Sequence, residues 1–106
     1  MATAEDIRSL SLRITRDFRP LRIVLFGSHA RGNPGADSDV DLLVVLPFEG
    51  RAVDKAVEIR LKSRPTFPLD LIVRTPEAVR ERVALGDTFL RDILGTGTVL
   101  YEADHR

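Results

Sequence analysis

The stretch that decides the fold runs from Gly27 to Asp41 and reads GSHARGNPGADSDVD. It lies between two apolar runs, Ile23–Phe26 and Leu42–Leu46. A glycine turn carrying a basic side chain opens it, and two carboxylates, Asp39 and Asp41, close it. Unpaired charge beside a hydrophobic core is costly. These carboxylates therefore require a partner, and a divalent cation is the simplest one.

Asp39 and Asp41 flank the start of a strand predicted over Val40–Leu46, so alternation places both side chains on one face. A third carboxylate, Asp70, interrupts the apolar run 69–73 and can join them if the two strands are neighbours. Magnesium takes one or two carboxylates together with substrate phosphates. The alternative is a solvated strand end, and we expect that role for Asp37, which lies outside the strand.

Helical and strand patterns extend outward from this stretch. Thr3 caps a helix that reaches about Phe18, with an apolar stripe at Ile7, Leu10, Ile14 and Phe18. Pro20 ends it, and a strand follows over Leu21–Phe26, in which the unbroken apolar run 23–26 indicates burial on both faces. A short helical turn is expected over 28–32. On the other side, the pattern predicts a helix over 51–62 with its apolar side at Val53, Ala56, Val57 and Leu61.

The remaining elements are marked by their end signals. Strand 69–73 is followed by Thr75-Pro76-Glu77, a strong helix start, and that helix reaches about Leu85. Asp87 caps a last helix that we expect to end at Gly95 after Leu94, and a short strand follows over 98–101. Alternating helices and strands predict the α/β class: one domain over 1–106, with a small mixed sheet flanked by helices.

Composition narrows the possible functions. Sixteen basic and sixteen acidic residues balance, which argues against a large nucleic-acid footprint. The absence of cysteine excludes disulfides and thiol chemistry. No apolar run approaches membrane-spanning length and no secretory leader is recognised, so we expect a cytoplasmic protein with no membrane association.

The Gly27-Ser28 turn has the features of an anion site. Glycine after a buried strand lets backbone amides approach a ligand closely, and amides at a helix start favour phosphate. Ser28 adds a hydroxyl and Arg31 a charge. Taken alone, the turn is more typical of a plain strand-to-helix connection than of an anion site.

Together these residues carry a resemblance. The pattern resembles the signature of nucleotidyltransferases related to DNA polymerase beta. In it, Gly27-Ser28 is followed, after ten residues, by Asp39-x-Asp41. The fuller pattern, with His29-Ala30-Arg31-Gly32 and Leu42, resembles the minimal nucleotidyltransferase branch, whose members are often antitoxins encoded beside a helical HEPN partner.

The resemblance implies the nucleotidyltransferase fold and a role for each matching residue. Gly27 and Ser28 would contact the triphosphate, with Arg31 as a further phosphate or structural contact. Asp39, Asp41 and Asp70 would hold two magnesium ions, and Asp70 would receive the acceptor's proton. His29 falls at a variable position and is expected to be solvated, while His105 is given no role.

The implied reaction moves AMP from ATP to a hydroxyl group on a HEPN-type toxin. Two alternatives remain open at this point. One is an antitoxin that acts only by binding, although such a protein need not keep three aspartates. The other is a small-molecule nucleotidyltransferase, although this chain has no room for the second domain that clamps such substrates.

Overall fold

The computed structural model describes residues 2–35 and 38–104. Its helices are α1 (Ala4–Phe18), α2 (Ser28–Arg31), α3 (Ala52–Ser63), α4 (Pro76–Ala84) and α5 (Thr88–Thr96). Its strands are β1 (Arg22–Phe26), β2 (Val40–Val45), β3 (Leu69–Arg74) and β4 (Thr98–Glu102). Within these residues no helix combines the length and apolarity needed to cross a bilayer.

The strands form one mixed sheet in the order β3-β2-β1-β4. β1 runs antiparallel to both β2 and β4, whereas β2 and β3 are parallel. A parallel pair needs a crossover connection, which α3 provides between β2 and β3. The predicted α/β fold with a small mixed sheet is confirmed.

Three helix starts follow from side-chain caps. The Thr3 hydroxyl accepts from the Asp6 amide at 3.1 Å while the Asp6 carboxylate accepts from the Thr3 amide at 2.9 Å, a reciprocal cap. Thr75 Oγ1 accepts from the Ala78 amide at 3.1 Å, and Asp87 Oδ1 from the Leu90 amide at 3.0 Å. These caps confirm the predicted starts of α1, α4 and α5.

The end of α5 differs from the prediction. The helix continues through Gly95 to Thr96, and Gly97 ends it. A Cβ at Gly97 would lie 2.6 Å from both the Ile93 carbonyl oxygen and Val24 Cγ1. Glycine is therefore required at position 97, where α5 meets β1 closely.

Alternation along the strands creates one core on each face of the sheet. On one face, α1 and α3 cover a cluster that includes Ile23, Leu25, Leu42 and Val44. On the other, α4 and α5 cover Val24, Leu43 and Val45. The predicted burial of β1 on both faces is confirmed.

The predicted core face of α3 is wrong except at Ala56, which packs against the core. Ile59 and Ser63 are buried and Ala56 is partly buried, whereas Val53, Val57 and Leu61 are at least half exposed. Two sets of side chains recur at helical spacing on this helix, and the set with the larger apolar members faces solvent. Ser63 is accommodated inside because its hydroxyl donates to the Ile59 carbonyl at 2.6 Å.

Candidate active site

The parallel pairing of β2 with β3 places two of the predicted carboxylates side by side. Asp41 is in direct register with Asp70, so both side chains leave the same face of the sheet. That face is the one covered by α4 and α5, since Leu43, two residues after Asp41, packs in their core. Asp39 directly precedes β2 and is exposed. The conditional expectation that Asp70 would neighbour Asp41 is met.

Gly27 brings the backbone of the turn against Asp41. Its φ of +77° lies in the region that side chains disfavour. A Cβ at this position would collide with the Asp41 carboxylate, lying 3.2 Å from its Cγ and closer still to Oδ2. Both the backbone conformation and the space require glycine here.

The turn after Gly27 presents backbone amides that side chains leave open. α2 is four residues long, and among residues 2–35 and 38–104 no side chain caps its start. The first amides of a helix have no intrahelical acceptor. A helix this short has a small dipole, so any anion would be bound by the individual N–H groups and the Ser28 hydroxyl.

Asp41 is the electrostatic centre of the group. Burial raises the pKa of its carboxyl, and the negative charges of Asp70 and Asp39 raise it further. His29 and Arg31 oppose this shift. A carboxyl held in that environment is stabilised by a bound cation, because the cation offsets both the lost hydration and the repulsion.

The chemistry of the donor set fits magnesium, although the side chains do not form a closed ligand shell. Across residues 2–35 and 38–104, no three acidic, histidine or cysteine side chains converge as a ready metal site. In the same residues, neither Asp41 nor Asp70 has an ion-pair partner. Their oxygens thus remain available, and mutual repulsion keeps such carboxylates apart when no cation is bound.

Two further residues singled out by the sequence, Arg31 and His29, lie on α2 and differ in their exposure. Arg31 is exposed on α2. His29 is partly buried, not solvated as expected, and its Nε2 lies 3.4 Å from the Ser38 carbonyl oxygen. That contact joins α2 to the segment before Asp39, a link that no sequence pattern indicated. Asp37 and His105 lie outside the described residues.

Comparisons with known proteins show which family the chain resembles. The model of the family described as nucleotidyltransferase domain matches residues 7–95. A Methanocaldococcus jannaschii protein named "Putative protein adenylyltransferase" is 33% identical over 82 residues, covering 76% of this chain and 77% of that protein. Another protein of that organism with the same designation is 35% identical over 52 residues. The matched part is 49% of this chain, and it spans about half of that relative, 52% of its length.

Solved structures share the fold. A "putative nucleotidyltransferase" from Sulfolobus solfataricus is 26% identical with a TM-score of 0.55, covering 74% of this chain and 70% of its own. A toxin–antitoxin crystal structure with AMP-PNP gives a TM-score of 0.62 at 22% identity, covering 92% of this chain and 74% of its own. At that identity, the second likeness concerns the fold alone.

Proposed function

The chain belongs to the nucleotidyltransferase domain family, and from that premise we propose that it transfers AMP from ATP to a hydroxyl group of a HEPN-type toxin, acting as an antitoxin. The observation that carries the proposal is the register of Asp41 with Asp70 beside the Gly27 turn. The relatives designated as protein adenylyltransferases support a protein acceptor. Because ATP is a cytoplasmic metabolite, we place the reaction in the cytoplasm.

In this proposal the site residues form a triphosphate-binding group and a metal-binding group. The amides after Gly27 and the Ser28 hydroxyl hold the triphosphate, with Arg31 as a further charge contact. Asp39, Asp41 and Asp70 hold two Mg²⁺ ions, which when bound stabilise charge on the entering and leaving oxygens. Catalysis then consists of positioning and charge stabilisation.

The transfer itself is a substitution at the α-phosphorus. Asp70 takes the proton of the acceptor hydroxyl, whose oxygen forms a new bond to the α-phosphorus. The bond between that phosphorus and the oxygen bridging to the β-phosphate breaks, and pyrophosphate leaves. Asp70 suits this role because it is exposed, on the outer strand of the sheet, where an acceptor side chain can reach it.

The proposal is tested by intact-mass spectrometry. The purified chain is incubated with ATP, Mg²⁺ and a candidate HEPN-type toxin with which it forms a complex, and we expect the partner to gain the mass of AMP. Asp41→Asn should reduce the transfer rate by at least about a hundredfold, as expected when a charge-stabilising group is lost. Complex formation should persist.

Asp54→Asn is the matched control, because Asp54 is an exposed acid on α3, away from the site. It should transfer AMP at the normal rate. Absence of AMP from the partner with the unaltered chain, under conditions where the complex forms, would contradict the proposal.

A second candidate is an antitoxin that acts by binding alone. The observation favouring it is that the carboxylates of the described residues do not converge as a ready metal site. This candidate predicts that Asp41→Asn neutralises the toxin as fully as the unaltered chain does. A growth-rescue assay that compares the unaltered chain with Asp41→Asn separates the two candidate functions.

A further inference from the structure

A cavity of about 460 Å³ lies between α2 and α5, directly beside the proposed phosphate turn. Its lining includes Phe26, Gly27, Arg31, Phe89 and Asp92. We propose that this cavity receives the nucleobase of the bound nucleotide, with Phe89 as the stacking surface and Asp92 as the acceptor for a base amino group. The inference rests on the proposed function and identifies the base class, a base with an exocyclic amino group such as adenine.

The position of the cavity relative to the carboxylates supports this assignment. Phe26 is the register partner of Asp41 across β1 and β2, so the cavity and the carboxylates share one face of the sheet. Gly27 belongs to both the cavity wall and the phosphate turn. A triphosphate bound at that turn therefore has its nucleoside within reach of the cavity.

A second cavity of about 460 Å³ is less suited to a base. Its lining includes Ile7, Leu25 and Leu100, which belong to or pack against the core under α1, together with His29 and Gly32 at α2. That core is on the opposite face of the sheet from Asp41. Among the described residues that line this cavity there is no Phe, Tyr or Trp and no carboxylate, so it offers neither a phenyl stacking surface nor an acceptor for a base amino group.

Phe89 has an open aromatic surface. It is 55% exposed on α5, while its neighbour Leu90 is buried. Its ring meets the Phe26 ring edge-on, with centroids 5.8 Å apart and an interplanar angle of 86°. This contact fixes the orientation of the Phe89 ring, and an exposed, oriented ring is a suitable platform for a base.

Asp92 adds hydrogen-bonding selectivity. It lies three residues after Phe89, on the same side of α5, and is exposed. Within residues 2–35 and 38–104 its carboxylate has no ion-pair partner. An ionised carboxylate only accepts hydrogen bonds, so it pairs with an amino group and disfavours the carbonyl edge of uracil.

The test measures binding by calorimetry in Mg²⁺ with three probes: inorganic tripolyphosphate and the α,β-methylene analogues of ATP and UTP, which cannot release pyrophosphate. Phe89→Leu keeps an apolar side chain but removes the flat ring. We expect it to weaken binding of the ATP analogue about tenfold and leave tripolyphosphate unchanged. Phe89→Tyr should restore binding.

Asp92→Asn should reduce the preference for the ATP analogue over the UTP analogue, because an amide can both donate and accept. Leu85→Ala is the control, since Leu85 is an exposed apolar residue outside the cavity lining. It should bind all three probes as the unaltered chain does. Thermal melting of each variant checks that it is folded.

Two failures are distinguishable. If the unaltered chain binds tripolyphosphate and the ATP analogue equally well, or if Phe89→Leu and Leu85→Ala bind the ATP analogue equally, the base site is wrong while the phosphate site stands. If the unaltered chain binds no probe in Mg²⁺, the proposed function fails and the base site fails with it.

Discussion

At the scale of single residues, Gly27 and Asp41 constrain each other. The glycine's missing side chain leaves the space that the Asp41 carboxylate occupies, and its positive φ turns the chain into α2. Any side chain at position 27 would displace the carboxylate, the backbone or both. The sequence pattern could predict a glycine turn, but not that the turn and the carboxylate would be in contact.

Asp41→Asn should stabilise the protein at neutral pH in the absence of Mg²⁺. The pKa of Asp41 is raised by burial and by Asp70 and Asp39, so ionisation opposes folding. After discounting for solvent screening we expect about 0.5 kcal/mol, which is a rise of ~2–4 °C in melting temperature for a domain of this size. Thermal melting followed by circular dichroism measures it.

The sign of this effect gives a pH test. A carboxyl whose pKa is higher in the folded than in the unfolded state adds to the free energy of unfolding while it is protonated. That contribution is complete at pH values below the unfolded pKa, and it is lost as the pH rises through the folded pKa. The advantage of Asp41→Asn should therefore disappear as pH falls below the ordinary value of 3.8. An advantage that persists under acidic conditions, or one shared by Asp54→Asn, would show that the carboxyl environment is not its cause.

At the scale of elements, the apolar periodicity of α3 does not decide which side of the helix faces the core. Both the Ala56–Ile59–Ser63 set and the Val53–Val57–Leu61 set recur at helical spacing, and summed apolarity favours the second set. Packing favours the first, because its smaller members let α3 lie close against the sheet. Capped helix starts were predictable since each depends on a local side chain, whereas this choice depends on the surface opposite the helix.

Truncations on the two sides of α3 should therefore differ sharply in cost. Ile59 is fully buried, so Ile59→Ala should lose about 2–5 kcal/mol of unfolding free energy. Leu61 is 72% exposed, so Leu61→Ala should stay within about 0.5 kcal/mol. Urea denaturation of both variants measures these values. Equal losses would mean that Leu61 is covered in solution.

At the scale of the whole molecule, the site exists only when separate segments meet. Asp41 and Asp70 belong to strands joined through α3, and their adjacency depends on parallel pairing of β2 with β3. The sequence predicted the strands and their carboxylates. Their adjacency remained conditional, because nothing local to either strand determines the order of strands in the sheet.

Magnesium should consequently stabilise the folded chain. A ligand that binds only the folded state adds about 2.7 kcal/mol at a concentration one hundred times its Kd. Melting temperature should rise with added MgCl₂ for the unaltered chain, and rise less for Asp41→Asn. Sodium chloride at matched ionic strength controls for screening of the like charges. Equal shifts in the two proteins would contradict a shared cation site.

β3 is an edge strand of the sheet, and this has a consequence for solubility. An outer strand leaves a row of backbone groups that can pair with another molecule and start aggregation. Between Leu69 and Val73, Asp70 is the only charge in an otherwise apolar run. The Asp70 carboxylate, which we propose accepts a proton, thus also disfavours self-association through this edge strand. Neutralising Asp70 removes that protection along with the chemistry, so its variants must be compared at low protein concentration before lost activity is attributed to the site.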